Sequence, residues 1–179
     1  MPVYVAFLRA VNVGGRFVKM DAMRAALEAS GFAEVETHIQ SGNVRLRSPL
    51  RSPARVEAAM EECLAAFAGF SIAAMVRTPQ QVRALETEAD GIPPLLATEG
   101  RRYVAVAKGP IDEGSQAALE SYDSTDERAR AISGAVLLEY GVAFNQSRLS
   151  GARLERMAGQ ALTARDLKVI RALSEKWGA

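Results

Sequence analysis

The sequence predicts an α+β fold built as two tandem ferredoxin-like βαββαβ units with antiparallel sheets, followed by a C-terminal helix. Three observations lead there. Apolar spacing switches between the periods of a strand and a helix in the order strand, helix, strand, strand, helix, strand. A stretch from Asp90 to Gly100 carrying Gly91, Pro93 and Pro94 then interrupts the pattern. The same order returns after it in weaker form.

Val3 to Leu8 is an apolar, β-prone run without alternation, which suits a central strand buried on both faces. From Met20 the spacing changes. Met20, Met23 and Leu27 fall on one helical face, and Gly31 supplies the left-handed residue that ends the helix. Val35, Thr37 and Ile39 alternate with Glu36, His38 and Gln40. After Ser41-Gly42, Val44 and Leu46 alternate with Asn43, Arg45 and Arg47, which predicts a hairpin. Ser52-Pro53 is an N-cap followed by proline at the first helical position, and Val56, Met60, Leu64 and Phe67 carry that helix to Gly69. Ile72 to Arg77 reads as the fourth strand, and Thr78-Pro79-Gln80-Gln81 as a capping box that opens a connecting helix.

In the second half, Arg102 to Ala107 reads as a strand and Ser115 to Tyr122 as a helix. Glu127 to Ser133 and Ala135 to Tyr140 form a hairpin around Ser133-Gly134. A helix is expected from Ser150 to Met157, closed by Gly159, then at most a short strand at Ala161-Leu162. Thr163 is expected to start the last helix, with Leu167, Ile170, Leu173 and Trp177 as its apolar stripe and Trp177 as its anchor. The predicted division is residues 1–90, a linker at 91–100, and residues 101–179. The halves show no visible match of residues, so the repeat rests on element order.

Composition bounds the function. At 49% hydrophobic and 24% charged residues the chain is ordinary globular material. The single cysteine, Cys63, excludes an internal disulfide and a Cys-rich metal site, and its spacing from Met60 and Phe67 reads as a packed thiol. No signal-like segment and no apolar run near the roughly 20 residues of a bilayer span is evident, so a cytoplasmic protein with no membrane partner is expected. A net charge of +1 argues against broad capture of nucleic acid. Residues 1–55 nevertheless hold eight Lys or Arg against four acids, so any basic patch is N-terminal.

In a split βαβ unit the first two strands run parallel with the third between them, because the crossover is right-handed. The loop after the first strand and the turn after the second then leave the sheet at one edge. That edge gathers Arg9, Asn12, Gly14, Gly15, Arg16 and Lys19 with Gln40, Ser41, Gly42 and Asn43. Glycines let backbone amides approach a ligand, and the cations favour an anionic one. The same residues also read as plain turn chemistry in which the amides satisfy the local backbone.

Other chemistries lack their residues. Asn12-Val13-Gly14-Gly15 misses the third glycine of a dinucleotide fingerprint, and no GxxxxGK[ST] loop occurs. His38 is the sole histidine and reads as a solvated or edge residue; without a GxSxG elbow or a ligand cluster, neither acyl transfer nor a metal is indicated. No cofactor is expected. The third strand, Val44-Arg45-Leu46-Arg47, lacks the rings on which an RRM stacks bases. Arg45 and Arg47 suit phosphate contact, but a solvated or domain-facing sheet surface is preferred. Ser147-Arg148 and Thr163-Ala164-Arg165 would make a second polar rim, but Ser150 and Thr163 read better as helix caps.

Tyr4 to Arg9, Asn12 to Gly15 and Ile39 to Val44, with Val76-Arg77-Thr78, Ser147-Arg148-Leu149 and Leu154-Glu155-Arg156, resemble the bacterial family known as domain of unknown function 1697 over nearly the whole chain. The resemblance implies a duplicated α+β fold in a small cytoplasmic protein with no established substrate, metal or cofactor. It carries over to Arg9, Asn12, Gly14, Gly15, Gln40, Ser41, Gly42 and Asn43. Two departures stand out. Ala10 replaces a common family glycine, and Asp166 to Val169 replaces an Asn-Trp-Asn-Thr-like run, so if that run helps form a family site, this chain has lost or altered that half.

The leading expectation is a binding module for a small anionic ligand or a nucleic-acid phosphate at the N-terminal loop edge. The alternatives are an enzyme that works by charge stabilisation, with Ser41 or a water taking part and Arg9 facing developing charge, and a structural or interaction protein whose loops are turns.

Overall fold

The computed structural model describes all 179 residues and holds two four-stranded antiparallel sheets and six α-helices. In chain order these are β1 (Val3–Leu8), α1 (Met20–Ala29), β2 (Ala33–His38), β3 (Asn43–Arg47), α2 (Pro53–Ala68), β4 (Ala74–Arg77) and α3 (Pro79–Gly91). They are followed by β5 (Arg101–Ala107), α4 (Glu113–Glu120), β6 (Glu127–Ile132), β7 (Ala135–Tyr140), a 3-10 turn (Phe144–Gln146), α5 (Gly151–Ala158), β8 (Leu162–Asp166) and α6 (Leu167–Trp177). Two compact units result: Met1–Val82 with Leu173–Ala179, and Arg83–Ala172. The arrangement is consistent with two ferredoxin-like units.

The first sheet has the order β2-β3-β1-β4, with β1 antiparallel to β3 and β4, and β2 antiparallel to β3. β1 and β2 are therefore parallel. Tyr4, Ala6 and Leu8 of β1 pack with Met23 and Leu27 of α1 and with Val56, Met60 and Leu64 of α2. Val5 and Phe7 point to the other face and are equally buried, so the unbroken apolar run of β1 has its reason. Truncating a core leucine such as Leu27 to alanine costs about 2–5 kcal/mol. Gly69 ends α2 at φ 76, and the capping box forms with Thr78 N–H on Gln81 Oε1 at 2.8 Å and Gln81 N–H on Thr78 Oγ1 at 3.2 Å.

β4 is an edge strand whose outward amides are taken up by α2. Ala74 N–H donates to Glu61 Oε1 (2.9 Å) and Val76 N–H to the buried Glu57 Oε1 (2.8 Å). A covered edge cannot template pairing with another chain. The end of α6 completes this unit: Trp177, only 4% exposed, donates from Nε1 to Glu36 Oε2 at 3.2 Å and meets the His38 ring edge-on at 6.0 Å. His38 is thus a half-buried packing partner. Arg45 and Arg47 are not a bare surface either, being ion-paired to Glu36 (3.1 Å) and Glu34 (2.8 Å).

The second sheet has the order β6-β7-β5-β8. Its last strand corrects the sequence reading. Thr163 does not start a helix: it lies within β8, opposite Val106 of β5, and α6 begins only at Leu167. Asp166 supplies the cap instead, accepting from Lys168 N–H at 2.8 Å. Pairing with β5 outweighs the local capping signal of Thr163. α4 begins at Glu113, two residues ahead of the predicted Ser115, because Asp112 caps it through Ser115 N–H at 2.9 Å. Ser150 stands at the N-cap of α5 without a side-chain capping bond.

The stretch after α3 is held within the second unit by the half-buried Arg102 and its buried partner Glu139. Arg102 donates to Ile92 O (2.8 Å) and Pro93 O (2.6 Å), and Glu139 accepts from Arg102 Nε (2.9 Å), Leu95 N–H (3.0 Å) and Leu96 N–H (3.3 Å). Each unit also buries an arginine on its edge strand at the same register, with Val5 opposite Arg77 and Val104 opposite Arg165. Burial lowers the pKa of both, Arg77 against an opposing pull from Glu57 and Arg165 down to about 10. Arg165 Nη1 donates to Thr163 Oγ1 at 2.8 Å, so these two residues form an internal contact of β8 rather than a polar rim.

Candidate functional site

The first loop leaves β1 with Arg9 N–H on Ala73 O at 2.9 Å. Ala10 and Asn12 both adopt φ 57, a left-handed conformation that suits asparagine and strains alanine. Ala10 is the position at which the family resemblance expects glycine, and its φ supplies the reason. Gly14 and Gly15 follow at φ 59 and 82, the two positive values of a type I′ turn. Arg16 N–H on Val13 O (3.2 Å) and Asn12 N–H on Arg16 O (2.9 Å) close it. Val18 N–H then donates to Asn12 Oδ1 at 2.8 Å, so one side chain spans the loop.

The β2–β3 turn is built around Asn43, which is 0% exposed and donates from Nδ2 to His38 O and Ser41 Oγ, each at 3.0 Å. Gly42, at φ 78, passes so close to β1 that a Cβ would lie 2.9 Å from Leu8 Cβ, and its carbonyl accepts from Leu8 N–H at 2.8 Å. Ile39 holds φ 51, a costly conformation for a β-branched residue.

The two segments meet. Asn12 Nδ2 donates to Gln40 O at 2.9 Å, and beside this bond lies an open cavity of about 820 Å³ lined by Asn12, Phe17, Lys19, Met20, Asp21 and Gln40. Lys19 is exposed, has no ion pair, and precedes α1 without a side-chain cap on that helix. Asp21 is paired with Arg24. Arg16 is exposed but holds its guanidinium over the Phe70 ring, 5.3 Å from the centroid, and Arg9 is half-buried at the root of the loop.

Asn12, Lys19 and Gln40 thus line the cavity, Gly14, Gly15 and Arg16 form an exposed turn beside it, and Ser41, Gly42 and Asn43 build the turn that supports it. Asn12 and Asn43 act through the hydrogen bonds that hold the loops. The sequence reading missed the apolar component. Of six exposed large hydrophobic residues, three are here: Phe17 at 78%, Val13 at 56% and Ile39 at 50%. The available signal was Phe17 itself, an aromatic after Gly14-Gly15-Arg16 that belongs to no helical or strand period. No group of three or more His, Cys, Asp or Glu side chains is placed to hold a metal, and no helix is long and apolar enough to cross a membrane.

Residues 1–137, including both segments of this rim, match the family described as "Protein of unknown function (DUF1697)". The chain belongs to the DUF1697 family. Among solved structures, the DUF1697 chain is similar to the conserved bacterial protein SP0830 from Streptococcus pneumoniae at a TM-score of 0.76 and 20% identity, covering 100% of this chain and 99% of the other. That likeness is one of fold. No curated protein matches the sequence.

Proposed function

We propose that the rim between the β1–α1 loop and the β2–β3 turn is a binding site for an anionic ligand. The observation that carries this reading is the Asn12–Gln40 bond, which fixes two irregular segments around a cavity whose cation, Lys19, makes no ion pair, the nearby Asp21 being engaged by Arg24. Backbone strain at Ala10, Asn12 and Ile39 in the same place supports it, since such strain persists where the surrounding structure and function maintain it. Asp21, the carboxylate lining the cavity, is tied to Arg24, so the site is better suited to binding than to proton transfer.

Thermal unfolding in inorganic pyrophosphate tests this. Wild-type protein gains stability with ligand concentration, and Lys19→Gln loses most of that gain while melting normally without ligand. Equal gains in both proteins, or none in either, refute the reading.

We further infer that the two units repeat one βαββαβ design. In register, Tyr4-Val5-Ala6 corresponds to Tyr103-Val104-Ala105, and Leu8 N–H on Gly42 O (2.8 Å) to Ala107 N–H on Gly134 O (3.0 Å). A cytoplasmic setting, where Cys63 stays a thiol, fits the same reading.

A further inference from the structure

We infer that the anion taken by this rim is a nucleoside phosphate, with its base stacked on Phe17 and its phosphate at Lys19. The inference rests on the anion-site reading and adds the ligand's apolar half. An inorganic anion gives Phe17 no role, yet this ring is 78% exposed. It is not on a frayed segment: Asn12 N–H binds Arg16 O (2.9 Å) just before it, and Val18 N–H binds Asn12 Oδ1 (2.8 Å) just after it. A flat ring held outward in a fixed loop, two residues from an unpaired ammonium and facing the same cavity, is the pairing that single nucleotides and single strands require.

The remaining lining fits the same ligand. Gln40 is exposed and uses its backbone oxygen for Asn12, so its side-chain amide offers both a donor and an acceptor to a base edge. Charge is complementary, because Lys19 is unpaired and Asp21 is held by Arg24. The stacking surface lies on the loop rather than on the central strands, which explains how a sheet without the RRM rings still presents an aromatic to a base.

The test compares wild type with Phe17→Ala, Phe17→Tyr and Lys19→Gln. Probes are AMP, a short labelled single-stranded oligonucleotide, the matching duplex, pyrophosphate and anionic phospholipid vesicles. Phe17→Ala should weaken AMP or single-strand binding about 10-fold, Phe17→Tyr should keep it, and neither should change pyrophosphate binding. Lys19→Gln should weaken both kinds of ligand and lower the salt dependence of strand binding by about one charge. AMP binding without strand preference identifies free nucleotide as the source, and strand binding without AMP identifies single-stranded nucleic acid. Nucleotide affinity unchanged in Phe17→Ala, or binding only to duplex or vesicles, overturns the inference. If pyrophosphate still binds in those cases, the anion site survives; if wild type binds none of the probes, both readings fall.

Discussion

At the end of β1 the chain runs through an eleven-residue loop, Arg9 to Lys19, before α1 begins, whereas only Lys108 to Asp112 separate β5 from α4. Both loops leave equivalent corners of their sheets. The shorter one is tied back by Gln160, whose Oε1 accepts from Gly109 N–H at 2.5 Å and whose Nε2 donates to Pro110 O at 2.8 Å. It ends on Asp112, a carboxylate that caps α4. The longer loop is tied across to the neighbouring turn by Asn12 and ends on Lys19, which leaves α1 without a side-chain cap. One corner thus carries its own negative charge, and the other presents a positive charge beside an open cavity. Of two four-stranded sheets, the candidate site lies at the corner where the loop is long and the helix has no side-chain cap.

The largest effect is expected at Gly42 in the turn that supports the long loop, where an added Cβ meets Leu8 at 2.9 Å at φ 78. Gly42→Ala should cost about 2–4 kcal/mol in urea denaturation, whereas Gly15→Ala, with nothing within 4 Å of its Cβ, should cost about 1 kcal/mol for the left-handed backbone. Equal costs would mean that close packing does not hold the turn in place. Next come the two struts. Asn12→Ala and Gln160→Ala each lose two hydrogen bonds and should cost about 1–2 kcal/mol, but only Asn12→Ala should abolish stabilisation by pyrophosphate.

Lys19→Asp sharpens the contrast by giving the first unit the cap of the second. It should stabilise the apoprotein by about 0.5–1 kcal/mol while removing the response to anions, as read by paired melting curves. The smallest effect is on pH dependence. The hydrogen bond from the Ser115 backbone holds the Asp112 carboxyl below its ordinary pKa. Its contribution is therefore complete above the usual carboxylate range and fades as pH falls through and below it. Asp112→Asn should reduce the acid-side loss of stability, measured as Tm against pH.

Much of this was legible in the chain. β1 announced itself because Val3 to Leu8 carries no alternation, and Gly31 and Gly69 marked helix ends through the left-handed conformation that costs glycine less than other residues. Right-handed crossover was enough to predict that Asn12 and Gln40 share an edge. β8 was not legible, since Thr163 resembles a cap locally and becomes a strand residue only by pairing with Val106 of β5. Nor were the struts: Asn12 reaches a carbonyl 28 positions away, and no local spacing encodes such a bond. Phe17 was overlooked because reading by periodicity assigns apolar residues to the interior, and this one faces outward.

Leu173–Ala179 belong with Met1–Val82, so the first unit is assembled from segments at opposite ends of the chain. During translation Trp177 can close over Glu36 and His38 only after all of Arg83–Ala172 has been made. The first unit to be synthesised is thus the last to be completed, and the chain's single indole, through its fluorescence, is a built-in clock for that final step.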